Sequence, residues 1–417
     1  MWPSLVLALA AQRRGWAPPL WAALAVGAVL RIIAMAWAAQ DPAQPYDFAN
    51  DFSMAAAEVL EGRNPTTHMR DGGWHFLPFL AYVLAGQKEL GDLIGLSWNW
   101  SGRIVPVLAD LALIPLVAKL VGERGALRGF QYACVPLGIM VSGIHGQFPP
   151  LTLVFGVAAL VAARAGRAHW AGVLVGLSVA CTNWSVLLVP GVVLAVAGSR
   201  RLVVLGWTAA VPGLWLLSSA VFLDTPVTGL VDLGKAIMST RPVVGDWGWT
   251  ALVTGGDQDV SSVLGRIGTL VLVAGLLAAG WWWRGADPVD LTLVLLLVFL
   301  ILTYRLGAQY LMWPVPYLLA RAGRATWPVI TVTSAWAAAR LPARPDVHRD
   351  GLVAVPQRVG PVLARGHPLP DRRTTAQEPA PSRPRRARPA DGSHVRAVAA
   401  PRVSGRCAWT RAPCRPT

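Results

Sequence analysis

Residues Tyr46 to Phe79, YDFANDFSMAAAEVLEGRNPTTHMRDGGWHFLPF, are the first long polar interruption in a very apolar chain. The stretch carries Asp47, Asp51, Glu58, Glu61 and Asp71, with His68 and His75. An apolar run, Leu20 to Ala39, interrupted only by Arg31, precedes it, and others follow. Runs near twenty residues are membrane spans by length, so the stretch reads as a loop hung between spans. A membrane-embedded enzyme would keep its chemistry in such a carboxylate-rich loop.

Composition supports this reading. The 417 residues are 54% hydrophobic and 14% charged, against about 25% charged in soluble domains. Mean hydropathy is +0.48. The 20 tryptophans suit interfacial belts. The expected fold class is therefore all-α, a polytopic transmembrane helix bundle in the cell membrane. The net charge of +15 does not argue for a nucleic-acid partner, because sixteen arginines and five acids from Arg340 onward account for +11 of it. Cys134 and Cys181 lie in apolar runs, where a buried thiol is the ordinary reading. The cysteine spacing matches no zinc pattern, so no metal or cofactor is expected. No phosphate-cradling glycine loop, dinucleotide fingerprint or HExxH occurs.

Charge sets the expected topology. Arg13 and Arg14 place the N-terminus, 1–18, in the cytoplasm by the positive-inside rule. Ala36-Trp37-Ala38 resembles a signal-peptidase site, but the apolar run exceeds the roughly 7–15 residues of a signal core, which favours a retained helix. The first outer loop is then 40–101. Its segment Phe76 to Gly86 is too short to span and reads as an interfacial half-helix. Further spans are expected at Ile104–Val121, Gly129–Ile144, Leu151–Ala163, Trp170–Cys181, Ser185–Ala197, Leu202–Leu223, Val263–Trp283, Pro288–Thr303 and Leu306–Ala320, about ten in all. Ala325 to Ala339 is marginal. A second outer loop occupies 224–261, and the membrane domain covers 19–339. From 340 to 417 the chain is rich in Arg, Pro and Ala, a composition too polar to offset its chain entropy, so a disordered tail is expected. A basic tail can touch anionic lipid; a shifted reading frame in a GC-rich gene is the other explanation for so abrupt a change.

Several residues carry candidate chemistry, each with a plainer alternative. Asp47 and Asp51 are four apart and share a face if helical; Asp51 could equally cap a helix beginning at Phe52. His145-Gly146-Gln147 ends a span, where the polar pair could bind a phosphate or sugar, or could simply mark a helix end. Asp110 lies mid-span, a functional position by default or a helix–helix hydrogen bond. Arg31 in the first span is expected to snorkel. Lys235, Arg241 and Arg305 lie at the outer face, where they could bind a phosphate; Asp232 and Asp246 offer them ordinary ion pairs.

The order of short motifs is informative beyond each one. After the first span come Asp47-Phe48, Ala55-Ala56, Gly62-Arg63-Asn64-Pro65 and His75-Phe76-Leu77-Pro78. Then follow His145-Gly146-Gln147, the run AGVLVGLSVACTNWSVLLVPGVVL, and Gln309-Tyr310-Leu311-Met312-Trp313. Together they resemble the GT-C superfamily, in particular the polyprenyl-phosphate-mannose-dependent mannosyltransferases of actinobacteria. The resemblance implies a GT-C-like bundle and an inverting transfer of a sugar, mannose favoured, from a polyprenyl-phosphate donor to a lipid or glycan acceptor. It implies that Asp47, or Asp51 in the repeated Asp-Phe pair, is the catalytic aspartate. Substrate-binding roles are then expected for His75, His145, Gln147, Lys235, Arg241, Arg305, Gln309 and Tyr310. Membrane lipids are expected partners, and basic side chains rather than a metal would meet the leaving phosphate. The family often carries a lysine in the segment matching Ala180 to Trp184, where this chain has Thr182-Asn183. A transporter or flippase of lipid-linked glycans, and an inactive relative, are the competing expectations. A transporter would be expected to show an internal repeat and helices interrupted at mid-membrane.

Overall fold

The computed structural model describes residues 2–69, 74–238, 262–304 and 306–340. Arg241, Arg305, the tail from 341 and most of the second expected loop lie outside them. The regular structure among the described residues is all helical, with no strand. Helix α1 is Trp2–Arg14 and α2 is Leu20–Gln40. A π-helical turn, Asp47–Phe52, runs into α3, Ser53–Leu60, followed by α4, Pro65–His68, and α5, Pro78–Leu93. Helix α6 is Trp98–Val121. Next come α7, Gly125–Ala133, and α8, Pro136–Ile139, the latter continued by a second π-helical turn, Met140–Ile144. Helices α9, Pro149–Arg164, and α10, Ala168–Cys181, form a hairpin. A 3₁₀ segment, Asn183–Leu188, leads to α11, Val189–Leu194, then α12, Arg200–Phe222, and α13, Leu230–Met238. The remaining elements are α14, Ser262–Trp282, α15, Pro288–Leu302, a 3₁₀ turn Ala308–Met312, α16, Val315–Ala320, and α17, Thr326–Arg340.

Among the described residues, four helices are long and apolar enough to cross a membrane: Leu20–Gln40, Trp98–Val121, Arg200–Phe222 and Gly265–Trp282. Four further apolar helices are shorter, among them α9, α10 and α15. Large apolar side chains face outward along α12 and α14, including Leu214, Leu217, Leu270 and Leu277. That arrangement suits a hydrocarbon surrounding rather than water.

Some expected spans are broken, for a legible reason. Gly129 to Ile144 is not one helix: α7 stops at Ala133, and Val135 adopts extended geometry before Pro136. Proline drives the residue before it out of the helical region, and at the first helical position its missing N–H costs nothing. Leu306 to Ala320 divides into a 3₁₀ turn and α16, with Trp313 and Pro314 between them still in the helical region. The expected half-helix at Phe76 to Gly86 runs on to Leu93 as α5. Residues 2–14, read only as an N-terminal lead, form a helix packed on α7 and α8.

Helix α6 is central and touches α2, α5, α7 and α9. It runs antiparallel to α2: Asn99 reaches Ala39 O at one end, and Gly27 lies against Ile114 further along. On the other side α10 and α12 approach closely, since a Cβ at Gly172 would sit 2.7 Å from the Trp207 side chain. Small residues permit such contacts between apolar helices.

The contacts define two ends of the bundle. At one, Arg164 at the close of α9 bonds the Leu120 carbonyl and pairs with Asp287, which also holds Arg321. Arg321 pairs in addition with Asp290 at 2.8 Å. At the other end, the residues just before α9 meet the π-helical turn that follows α2. The two ends are separated by the sixteen residues of α9, roughly 24 Å at 1.5 Å per residue.

Candidate functional site

The site is built where four segments converge: the chain after α2, the start of α6, the π-helical turn 140–144, and the entry to α9. Phe48 is the anchor. It is fully buried, stacks on Trp98 with ring centroids 5.5 Å apart, and its carbonyl accepts the Trp98 indole N–H at 2.8 Å. Phe52, one turn on, packs edge-to-face on Phe148 and Trp74. These aromatic contacts fix the π-helical turn Asp47–Phe52 and hence the carboxylates it carries.

Asp47 is met by Gln147, whose Nε2 donates to Asp47 Oδ2 at 2.9 Å across 100 residues of sequence. Gly146 makes this meeting possible. Its φ of +66° is a left-handed conformation, and a Cβ there would lie 2.5 Å from the Phe48 ring. Only glycine can both turn the chain and let Phe48 in. His145-Gly146-Gln147 is thus a helix end whose turn brings Gln147 to Asp47.

Arg103 underlies this turn. Its guanidinium is fully buried, lies 4.0 Å over the Phe48 ring, and donates to the Ile144 and Asn99 carbonyls. Arg103 Nη2 also donates to Gln44 Oε1 at 2.6 Å. Arg103 thus ties the loop after α2 to the turn before His145. Burial pushes the His145 imidazole below its ordinary pKa; Asp47 pulls it upward, and Arg103 adds to the fall. His145 Nδ1 is buried without a hydrogen-bond partner, an open donor or acceptor beside Asp47's partner Gln147.

Asp51 is partly buried on the same turn. Burial, with Asp47 beside it, pushes its carboxyl up to about 6. It caps no helix: residue 51 lies inside the π-helical turn, and α3 begins at Ser53 with no side-chain cap. The capping alternative for Asp51 therefore falls. A carboxyl raised on folding stabilises the fold below its unfolded value near 3.8 and loses that contribution as pH rises through about 6. Asp51→Asn should therefore unfold at a higher temperature than the parent at pH 8 and at nearly the same temperature at pH 4. Melting curves in detergent at the two pH values check this; a gap that does not depend on pH would contradict it.

The loop beyond the site is pinned by its Gly-x-Asn-Pro motif. Asn64 donates to Thr225 Oγ1 at 2.8 Å, and its backbone N–H bonds Asp224. Asp224 N returns to the Gly62 carbonyl, and His68 pairs with Asp224 at 3.1 Å. The motif thus clasps the loop to the end of α12.

The other expected site residues are placed variously. His75 lies between buried Trp74 and Phe76, its ring 4.5 Å from Phe76. Gln309 and Tyr310 belong to the 3₁₀ turn before Trp313, in an aromatic cluster where Trp313 stacks on Trp184 at 3.6 Å and meets the tilted Tyr310 ring at 4.4 Å. Lys235 pairs with Asp232 at 2.9 Å on the exposed face of α13, which is the plainer role that sequence offered it. Among the described residues, no group of three His, Cys, Asp or Glu side chains could hold a metal ion. Cys134 and Cys181 are free and buried.

Two residues of the site were missed by sequence reasoning. Arg103 was left as a flank by starting the span at Ile104, although α6 begins at Trp98; a lone arginine inside an apolar helix was the available signal. Gln44 had no signal, because an isolated loop glutamine is ordinary. No family model matches the chain, and no curated protein matches it significantly.

Proposed function

We propose that this chain is an inverting glycosyltransferase of the membrane, moving a sugar, with mannose favoured, from a polyprenyl-phosphate donor to a lipid or glycan acceptor. The Asp47 end is its working face, placed outside by the charge pattern of the sequence. The observation that carries the reading is the hydrogen bond from Gln147 to Asp47. It holds a carboxylate in one orientation at the end of an apolar bundle, and position is the first requirement of a general base.

In the reaction, the acceptor oxygen attacks C1 of the sugar and its proton passes to the Asp47 carboxylate. The bond from C1 to the phosphate oxygen breaks, and the polyprenyl phosphate departs with the electron pair. One displacement inverts the anomeric centre. Arg103 is already enclosed by carbonyls and Gln44, so its part is to hold the turn rather than to meet the phosphate. His145, whose buried Nδ1 has no partner, is assigned the bond to a sugar hydroxyl or phosphate oxygen in this reading.

A second reading, transport or flipping of a lipid-linked glycan, draws on the fully buried ion pair of Arg31 with Asp110, since charges inside a membrane often mark transport paths. Incubating membranes that contain the full chain with radiolabelled polyprenyl-phosphate mannose separates the readings. Label appearing in a lipid or glycan product is expected. Label crossing the bilayer without transfer would favour the transporter, and neither event would favour an inactive relative.

A further inference from the structure

A shallow cavity of about 190 Å³ opens between α5 and the first turns of α6. Val83, Gly86, Gln87 and Leu90 form one wall, and Ser101 and Ile104 the other. The lining is almost wholly apolar, and no charged side chain belongs to it. Its floor holds one polar irregularity. Gln87 is 6% exposed; its Oε1 accepts the Val105 N–H at 2.9 Å beside Pro106, while its Nε2 is buried with no partner. A buried amide donor left unpaired costs about 1–3 kcal/mol, so an acceptor is called for.

We propose that this groove binds one acyl chain of an ester-linked membrane lipid, with Gln87 Nε2 donating to the ester carbonyl oxygen. Three observations choose that occupant. The apolar walls suit methylenes, and a dry apolar cavity of about 150 Å³ already takes up small hydrocarbons. The absence of a lining cation disfavours a phosphate, which seeks charged donors, and so points to a neutral oxygen. The depth also fits. Residues 101–105 lie about 4–10 Å along α6 from its first residue at 1.5 Å per residue, and α6 is long enough to span. For a span that begins at the membrane surface, that is the level of the headgroup–acyl boundary. The groove owes nothing to the sugar chemistry above and stands without it.

The test uses the purified full chain in mixed micelles and counts bound lipid by native mass spectrometry. The probes are a diester glycerophospholipid and its diether analogue, with the same headgroup and chain lengths. The diester is expected to be retained about five-fold over the diether, the scale of one neutral hydrogen bond. Gln87→Met should abolish that preference. Gly86→Leu should displace both lipids, because a Cβ at Gly86 meets nothing within 4 Å and so grows into open space without disturbing Gln87. Should Gln87→Met fail to fold, the parent's ester preference and the Gly86→Leu arm still decide. Equal retention of diester and diether overturns the proposal, as does unchanged retention by Gly86→Leu or preferential displacement by a polyprenyl phosphate. Retention of no lipid at all overturns it too, leaving Gln87 only a clamp on α6.

Discussion

Asp47→Asn is expected to lower turnover about 10²–10⁴-fold, the usual cost of removing a general base, while donor binding changes little. The substitution is clean because of how Asp47 is held. Gln147 donates to Asp47 Oδ2, and an asparagine oxygen in that place accepts the same bond, so the turn built on Phe48 stays intact. Basicity is what is lost. Asp51→Asn is the matched control. Asp51 makes no capping bond, so its replacement should leave turnover near the parent's. The opposite assignment has a physical case of its own: a carboxyl raised to about 6 is a stronger base near neutrality, and catalytic groups are often tuned that way. Orientation is the argument for Asp47, because of the two carboxylates only its own is held by a partner from another element. Turnover of both variants, measured in the same membranes at equal expression, separates the two. A large loss in Asp51→Asn alone moves the base one turn along. Parent-like turnover in both would end the reading of this loop as catalytic.

The parts of the site that were legible in sequence were those carried by short-range signals. The Asp-Phe and His-Gly-Gln motifs are visible in their order along the chain, whereas the contact between Asp47 and Gln147 is not. The helical class followed from apolar runs alone. Legibility failed where a helix changes type or partner. Nothing local distinguishes a continuous span from the α7–turn–α8 sequence except Pro136, and an internal proline is also tolerated, as Pro106 and Pro115 are in α6. The same ambiguity hid the 3₁₀ entries at Asn183 and Ala308. Asp51 looked like a cap because capping was judged from spacing, whereas a π-helical turn had already begun at Asp47.

Arg31 was the clearest misreading. Snorkelling was expected, yet Arg31 is fully buried and its Nε donates to Asp110 Oδ2 at 2.7 Å. Nine residues separate it from the end of α2, roughly 14 Å at 1.5 Å per residue, too far for its head to reach a boundary. The usable signal was joint. Two lone opposite charges sit at matching depth in neighbouring antiparallel helices, so each is the other's partner by elimination of water. Tyr132 Oη donates to Asp110 Oδ1 at 2.6 Å, and Ser142 Oγ lies 2.9 Å from Oδ2. Since Ser142 belongs to the π-helical turn that ends at His145, and Arg31 to the helix that leads to Asp47, this buried pair sits beneath both halves of the site.

Asp110→Leu should therefore destabilise the chain by about 3–5 kcal/mol, the range for removing one member of a buried pair. The loss comes less from the bond than from what it leaves: a guanidinium with no counter-charge in an apolar interior, and one nitrogen, Arg31 Nη2, already without a partner. The triple variant Arg31→Met, Asp110→Leu, Tyr132→Phe removes both charges and the phenol that depends on them. It should regain most or all of the stability, because well-packed apolar side chains often replace a buried ion pair at no net cost. Ser142 keeps the Gly138 carbonyl as an acceptor at 2.8 Å, so it needs no further change. Unfolding in detergent, followed for the parent, the single and the triple variant, measures the effect; a triple variant as unstable as the single would mean that the pair is worth more than its desolvation. The triple variant also bears on function. If the pair only supports the fold, the restored protein should transfer sugar at near the parent rate. If it stays folded yet loses the activity that the parent shows, the charges themselves take part in the work of the protein; only a loss of transport, in a parent that transports, would favour the transport reading.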